Sequence, residues 1–148
     1  MVHTFASAAV EQTEAFGERI GQAIRGGAVL AMFGGMGMGK TAFVRGLARG
    51  MGLCAEVSSP TFALVNDYGG SPTLAHFDMY RIQSWGDLYS TGFFDYLDMG
   101  AVLAVEWSEN IEEALPDDAV RLTFERLGEN ERRITVDDPA DVLGDLKV

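Results

Sequence analysis

Residues 28–33, Ala-Val-Leu-Ala-Met-Phe, are apolar without interruption. That is the pattern of a strand covered on both faces in a parallel sheet, not of one with a wet side. A second run of this kind, residues 101–105, stops abruptly at Glu106 and Trp107. Before the first run, Val10, Phe16, Ile20, Ala23 and Ile24 recur at helical spacing and predict a helix that Gly26 and Gly27 end, with a short strand at 3–5 ahead of it. After Thr41 a second helix is expected, its buried side Val44, Leu47, Ala48 and Met51, with Arg45 and Arg49 four apart on another face and Gly50 and Gly52 at its end.

Residues 62–68 and 73–78 read as two strands joined by Gly69-Gly70-Ser71-Pro72, a hairpin-like turn signal. Ser84 with Asp87 three residues on is an acidic variant of the capping box, and predicts a helix running to about Leu97. A short helix near 111–115, closed by Pro116, precedes two alternating strands. Val120, Leu122 and Phe124 mark the first, Ile134 and Val136 the second, with Gly128-Glu129-Asn130 turning between them. The expected fold is therefore α/β: a mixed, mostly parallel sheet flanked by helices in three layers, with antiparallel strands at the C-terminal end.

The chemistry sits directly behind the first buried strand. Residues 34–41 read Gly-Gly-Met-Gly-Met-Gly-Lys-Thr, which matches G-x-x-x-x-G-K-[ST] at a strand-to-helix junction, the setting a P-loop requires. Glycines let successive N–H groups turn inward toward phosphate oxygens, and the following helix adds its positive end. Gly34, Gly35, Met36, Gly37, Met38, Gly39, Lys40, Thr41 and Ala42 are thus the expected phosphate-binding residues. Lys40 reaches the outer phosphates and is expected to be open to the ligand with little core contact. The Thr41 hydroxyl serves magnesium, a hard ion that takes few protein ligands.

A hydrolytic P-loop protein also needs an acidic residue at the end of a neighbouring strand. Glu106 closes one such run and Asp78 closes Thr-Leu-Ala-His-Phe, so either can serve. Trp107 stacks near the nucleotide or packs in the core. No Asn-Lys-x-Asp-like segment for guanine is present, which favours ATP over GTP.

Composition narrows the class further. The chain has 148 residues, 47% hydrophobic and 22% charged, the size of one domain spanning 1–148. No apolar run reaches membrane-spanning length and the first residues lack a signal-peptide pattern, so no membrane and a cytoplasmic location are expected. Cys54 is the single cysteine and reads as a small buried residue near a strand. Of 11 basic residues only Lys40 and Lys147 are lysine. The net charge of −11 argues against gripping a nucleic-acid backbone unaided.

Four stretches together resemble the TsaE (YjeE) family, the bacterial ATPase of tRNA threonylcarbamoyladenosine synthesis. They are the P-loop, Ser-Pro-Thr-Phe-Ala-Leu-Val at 59–65, His-Phe-Asp-Met-Tyr-Arg at 76–81, and Glu106-Trp107. The resemblance implies ATP and Mg2+ as cofactors and TsaD and TsaB as protein partners, with tRNA met only through them. ATP hydrolysis would support turnover of that complex. It further implies that Lys40 and Thr41 hold phosphate and magnesium, that Glu106 organises the magnesium, that Thr61 lies in a switch-like loop sensing the outer phosphate, and that Asp78 is the other acidic candidate. His76, Tyr80 and Arg81 serve as switch or partner residues, or simply cap the sheet. Two alternatives stand beside this: a nucleotide-responsive scaffold without essential hydrolysis, and a small-molecule kinase.

Overall fold

A computed structural model describes residues 2–35, 39–60 and 64–144. In chain order its elements are β1 (Val2–Ser7), α1 (Val10–Ala23), β2 (Val29–Phe33), α2 (Lys40–Gly50), β3 (Val65–Gly70), β4 (Thr73–Asp78), α3 (Trp85–Ser90), α4 (Phe93–Asp98), β5 (Val102–Glu106), a 3₁₀ segment Ser108–Ala114, β6 (Val120–Arg126) and β7 (Arg132–Asp137). The seven strands form one sheet in the order β1-β7-β6-β2-β5-β4-β3. Its four central strands, β6, β2, β5 and β4, are mutually parallel. The pairs β1–β7, β6–β7 and β3–β4 are antiparallel, so the parallel character is confined to the centre.

The uninterrupted apolar runs are explained by cover on both faces. Leu30, Met32, Val102 and Ala104 join Phe16 and Ile20 of α1 and Phe43, Val44 and Leu47 of α2 in one core. The alternate positions Val29, Ala31, Leu103 and Val105 join Phe77, Leu88 of α3, Phe93 of α4 and Ile111 in the other. Three layers result, as the strand pattern requires. The first core depends on a close helix crossing: a Cβ placed on Gly46 of α2 would lie 1.9 Å from the Glu14 carbonyl oxygen of α1. Arg45 and Arg49, on the outer side of α2, pair with Glu14 and Glu18.

Several sequence expectations change. Val10, assigned to the apolar face of α1, is 58% exposed at its first turn. The helix expected from Ser84 to Leu97 is two helices. Gly92 takes φ +82° between them, and the Thr91 hydroxyl donates to Leu88 O and accepts from Phe93 N, substituting for the helical ladder. Of the capping box the Ser84 half is formed, with Ser84 Oγ accepting from Asp87 N at 3.1 Å, while Asp87 Oδ2 reaches one residue further back and accepts from Gln83 N at 3.1 Å. The segment near 111–115 is 3₁₀ and starts earlier, at Ser108. Cys54 is exposed in an irregular stretch, not buried. Of the strand read at 62–68, β3 begins at Val65, while Phe62 and Ala63 fall outside the described residues.

Candidate functional site

The four parallel strands end at one edge of the sheet, the edge at which open α/β sheets bind ligands. β2 delivers the chain there. At Gly34 the backbone takes φ +121°, and a Cβ at that position would lie 2.6 Å from the Phe124 carbonyl oxygen, so only glycine fits. Met36, Gly37 and Met38 lie outside the described residues. The chain is described again at Gly39, which caps α2 at φ +93° and offers no side-chain acceptor to the first N–H groups of the helix. An uncapped, eleven-residue helix therefore points its positive end across the sheet edge.

Lys40 opens that helix and is only 5% exposed, yet it lines the cleft that a ligand would enter. Its Nζ donates to Gly34 O at 2.7 Å and stands 4.9 Å from the centroid of the Trp107 ring. Desolvation pushes its pKa below the ordinary lysine value, opposed by the charges of Glu106, Glu109 and Asp78. Trp107 is partly buried. Its backbone takes φ +58°, its ring meets Tyr80 at 5.0 Å, and it borders the second core while lining the cleft over Lys40.

Asp78 and Glu106 are register partners at the ends of adjacent parallel strands, and both are buried. Asp78 Oδ1 accepts from Tyr80 N at 2.9 Å. Glu106 Oε2 is 2.5 Å from Nε2 of the fully buried His76, whose Nδ1 is 3.1 Å from the Tyr68 hydroxyl. His76 therefore lies beneath the site, whereas Tyr80 is 55% exposed at its rim.

Lys40 faces three carboxylates, Asp78, Glu106 and Glu109, and Arg132 is a second basic residue lining the cleft. The Thr41 hydroxyl and the Glu106 carboxylate are hard oxygen donors suited to magnesium. Among the described residues no group of three or more His, Cys, Asp and Glu side chains could hold a metal by itself.

Gly39, Lys40, Thr41, Ala42, Asp78, Glu106 and Trp107 all line one open cleft of about 570 Å³, joined by Ser59 and Tyr80. Thr61 lies outside the described residues. Gly34 contributes through its carbonyl, while Gly35 is exposed with open space around its Cα. Sequence reasoning missed a whole side of the cleft: Ala9, Val10 and Thr13 of the α1 start, Asn130 of the β6–β7 turn and Arg132 at the start of β7. Topology puts them there. β6 runs parallel to β2, and β1 parallel to β6, so the segments after both strands emerge at the same edge. In sheet order they lie on the opposite side of β2 from Asp78 and Glu106. The exposed Val10 was the available signal, because an apolar residue at a helix start need not face the core.

The comparisons with known proteins agree with one another. The family model described as "Threonylcarbamoyl adenosine biosynthesis protein TsaE" matches residues 7–134. The tRNA threonylcarbamoyladenosine biosynthesis protein TsaE of Treponema pallidum is 35% identical over 130 residues, covering 88% of this chain and 96% of that one. The protein of the same name from Bacillus subtilis is 36% identical over 126 residues, covering 84% and 78%. The crystal structure of Bacillus subtilis YdiB superposes with a TM-score of 0.81 at 30% identity, covering 95% of this chain and 88% of that one.

Proposed function

We propose that this chain, which belongs to the TsaE family of tRNA threonylcarbamoyladenosine biosynthesis, binds ATP with magnesium in the cleft above β2 and hydrolyses it. The observation that carries this reading is the convergence of the uncapped α2 start, the Lys40 ammonium and the Asp78/Glu106 pair on one cleft. Lys40 binds the outer phosphates, exchanging its bond to Gly34 O for phosphate oxygens, and the first N–H groups of α2 cradle the inner ones. Thr41 and Glu106 hold magnesium, which when bound offsets the charge on the phosphates. Glu106 is given this task because His76 fixes its carboxylate, as supporting residues fix metal ligands elsewhere. Asp78, with Oδ1 tied to Tyr80 N, then orients the attacking water through Oδ2. Thr61 senses the outer phosphate. The base and ribose extend toward Val10 and Asn130, away from the carboxylates.

The acidic surface supports a division of labour. A chain of net charge −11 leaves tRNA to its partners, and TsaD and TsaB are the partners proposed, in the cytoplasm, with the whole chain acting as one ATPase unit. Among the described residues no helix is long and apolar enough to cross a membrane.

The test is magnesium-dependent phosphate release by the purified chain, alone and with TsaD, TsaB and tRNA. Partners should stimulate release, and Asp78→Asn should abolish it while ATP still binds. Release only in the presence of a particular acceptor would make the protein a kinase. Full support of tRNA modification by a non-hydrolysing Asp78→Asn protein would make it a scaffold.

A further inference from the structure

Beneath the cleft a chain of side chains runs from Glu106 and His76 on to Tyr68, which the reaction above does not use. Glu106 Oε2 meets His76 Nε2 at 2.5 Å, and His76 Nδ1 meets the Tyr68 hydroxyl at 3.1 Å. Tyr68 in turn grips Ser58 at both backbone groups: its hydroxyl donates to Ser58 O at 3.0 Å and accepts from Ser58 N at 3.3 Å. Asn66 Nδ2 supports the junction, 3.1 Å from Ser58 O and 3.3 Å from the Tyr68 oxygen. Ser58 lies in a stretch without regular structure that follows α2, and its neighbour Ser59 lines the cleft.

Rigid elements supply every link except the last. His76 is central in β4, 0% exposed, and Glu106 ends the adjacent β5. Tyr68 lies on β3, the edge strand paired to β4. The irregular segment is held at Ser58 by the Tyr68 hydroxyl, with Asn66 Nδ2 beside it, and that hydroxyl also meets the residue that orients Glu106. The Tyr68 hydroxyl bridges His76 Nδ1 and Ser58 O, so a displacement of the Glu106 carboxylate that moves the imidazole would move the hydroxyl that holds Ser58.

We propose that His76 and Tyr68 are positioning residues which couple the Glu106 carboxylate to the segment around Ser58, so that magnesium and nucleotide in the cleft set how firmly that segment is held. The proposal rests on the reading of Glu106 as a magnesium-organising residue. Neither side chain touches substrate, since neither lines the cleft. Their part is to carry a change at the metal end of the site to the stretch leading into residues 59–65.

Backbone hydrogen exchange of residues 53–60, read by mass spectrometry, tests the coupling, with ATP affinity measured by calorimetry on the same samples. In the wild-type protein magnesium and ATP together should slow exchange of this segment about five-fold, the effect of securing one hydrogen bond. ATP in excess EDTA should leave it unchanged. Tyr68→Phe, which removes only the hydroxyl, should bind magnesium-ATP within about two-fold of wild type and lose the slowing. His76→Asn, which keeps a polar atom toward Tyr68 but none toward Glu106, should lose it too. A Tyr68→Phe protein that binds and still shows the slowing overturns the relay, as does wild-type binding with unchanged exchange. No binding of magnesium-ATP to the wild-type protein overturns the nucleotide reading itself, which is a different result.

Discussion

Lys40→Met separates binding from folding at the residue where the two are most easily confused. Methionine keeps most of the buried stem and removes the charge. In the proposed nucleotide complex the ammonium would bond two phosphate oxygens, and bonds to charged groups contribute about 1.5–3 kcal/mol each. Their loss amounts to roughly 3–6 kcal/mol, or two to four orders of magnitude in affinity. Asp78, Glu106 and Glu109 would then face the phosphates without their cation, which acts in the same direction. Stability should respond differently. The ammonium is desolvated enough for its pKa to fall below the ordinary value, so the folded state tolerates the charge and is not held together by it. The loss is one donor to Gly34 O, about 1 kcal/mol and roughly 2–4 °C in Tm for a chain of this size. Calorimetric titration of magnesium-ATP alongside thermal unfolding reads both. Affinity within ten-fold of wild type, or a variant that does not fold, would refute the reasoning.

Gly46→Ala should destabilise the protein by about 1–3 kcal/mol, lowering Tm by roughly 3–10 °C, because the new methyl would sit 1.9 Å from the Glu14 carbonyl oxygen; an unchanged Tm would show that α1 and α2 separate freely. Asn130→Ala should weaken ATP about five-fold, the value of one hydrogen bond, and leave inorganic triphosphate affinity unchanged, since Asn130 lies across β2 from the carboxylates; equal weakening of both would contradict the proposed direction of the nucleotide. Lys40 also predicts a proton linkage. Its folded pKa lies below the unfolded value of 10.5, so between the two the unfolded chain binds more protons, and the Lys40 contribution to stability rises with pH through that window. Phosphate favours the charged ammonium, so magnesium-ATP binding in that alkaline window should take up protons, seen as a dependence of the binding heat on buffer ionisation; proton release would reverse the assignment.

Most of the fold is legible in the sequence because the strongest signals are long. The apolar runs at 28–33 and 101–105 can be satisfied only by cover on both faces, and the two cores supply it. The break at Gly92 was less visible, since Tyr89, Phe93 and Leu97 keep a helical spacing of four across it, and only the hydroxyl of Thr91 and the left-handed glycine end the first helix. Within the site, Lys40, Thr41, Asp78 and Glu106 announce themselves by residue type and by position at strand ends. Asn130 and Val10 do not. Their place in the cleft depends on the sheet order, which sets the end of β6 beside that of β2 and brings the end of β1 to the same edge, and no local pattern encodes that order. His76 illustrates the reverse case: its motif was evident, but its burial under Glu106 follows from the register of β4 against β5.

The central claim is that one cleft takes ATP through Lys40 and a magnesium ion held by Thr41 and Glu106. Calorimetric titration of ATP into the purified chain, with magnesium and then with excess EDTA, addresses it most directly. One site per chain, with affinity at least about ten-fold lower in EDTA and lower again in Thr41→Ala with magnesium present, is the expected result. Absence of binding, or binding indifferent to both magnesium and Thr41, would contradict it.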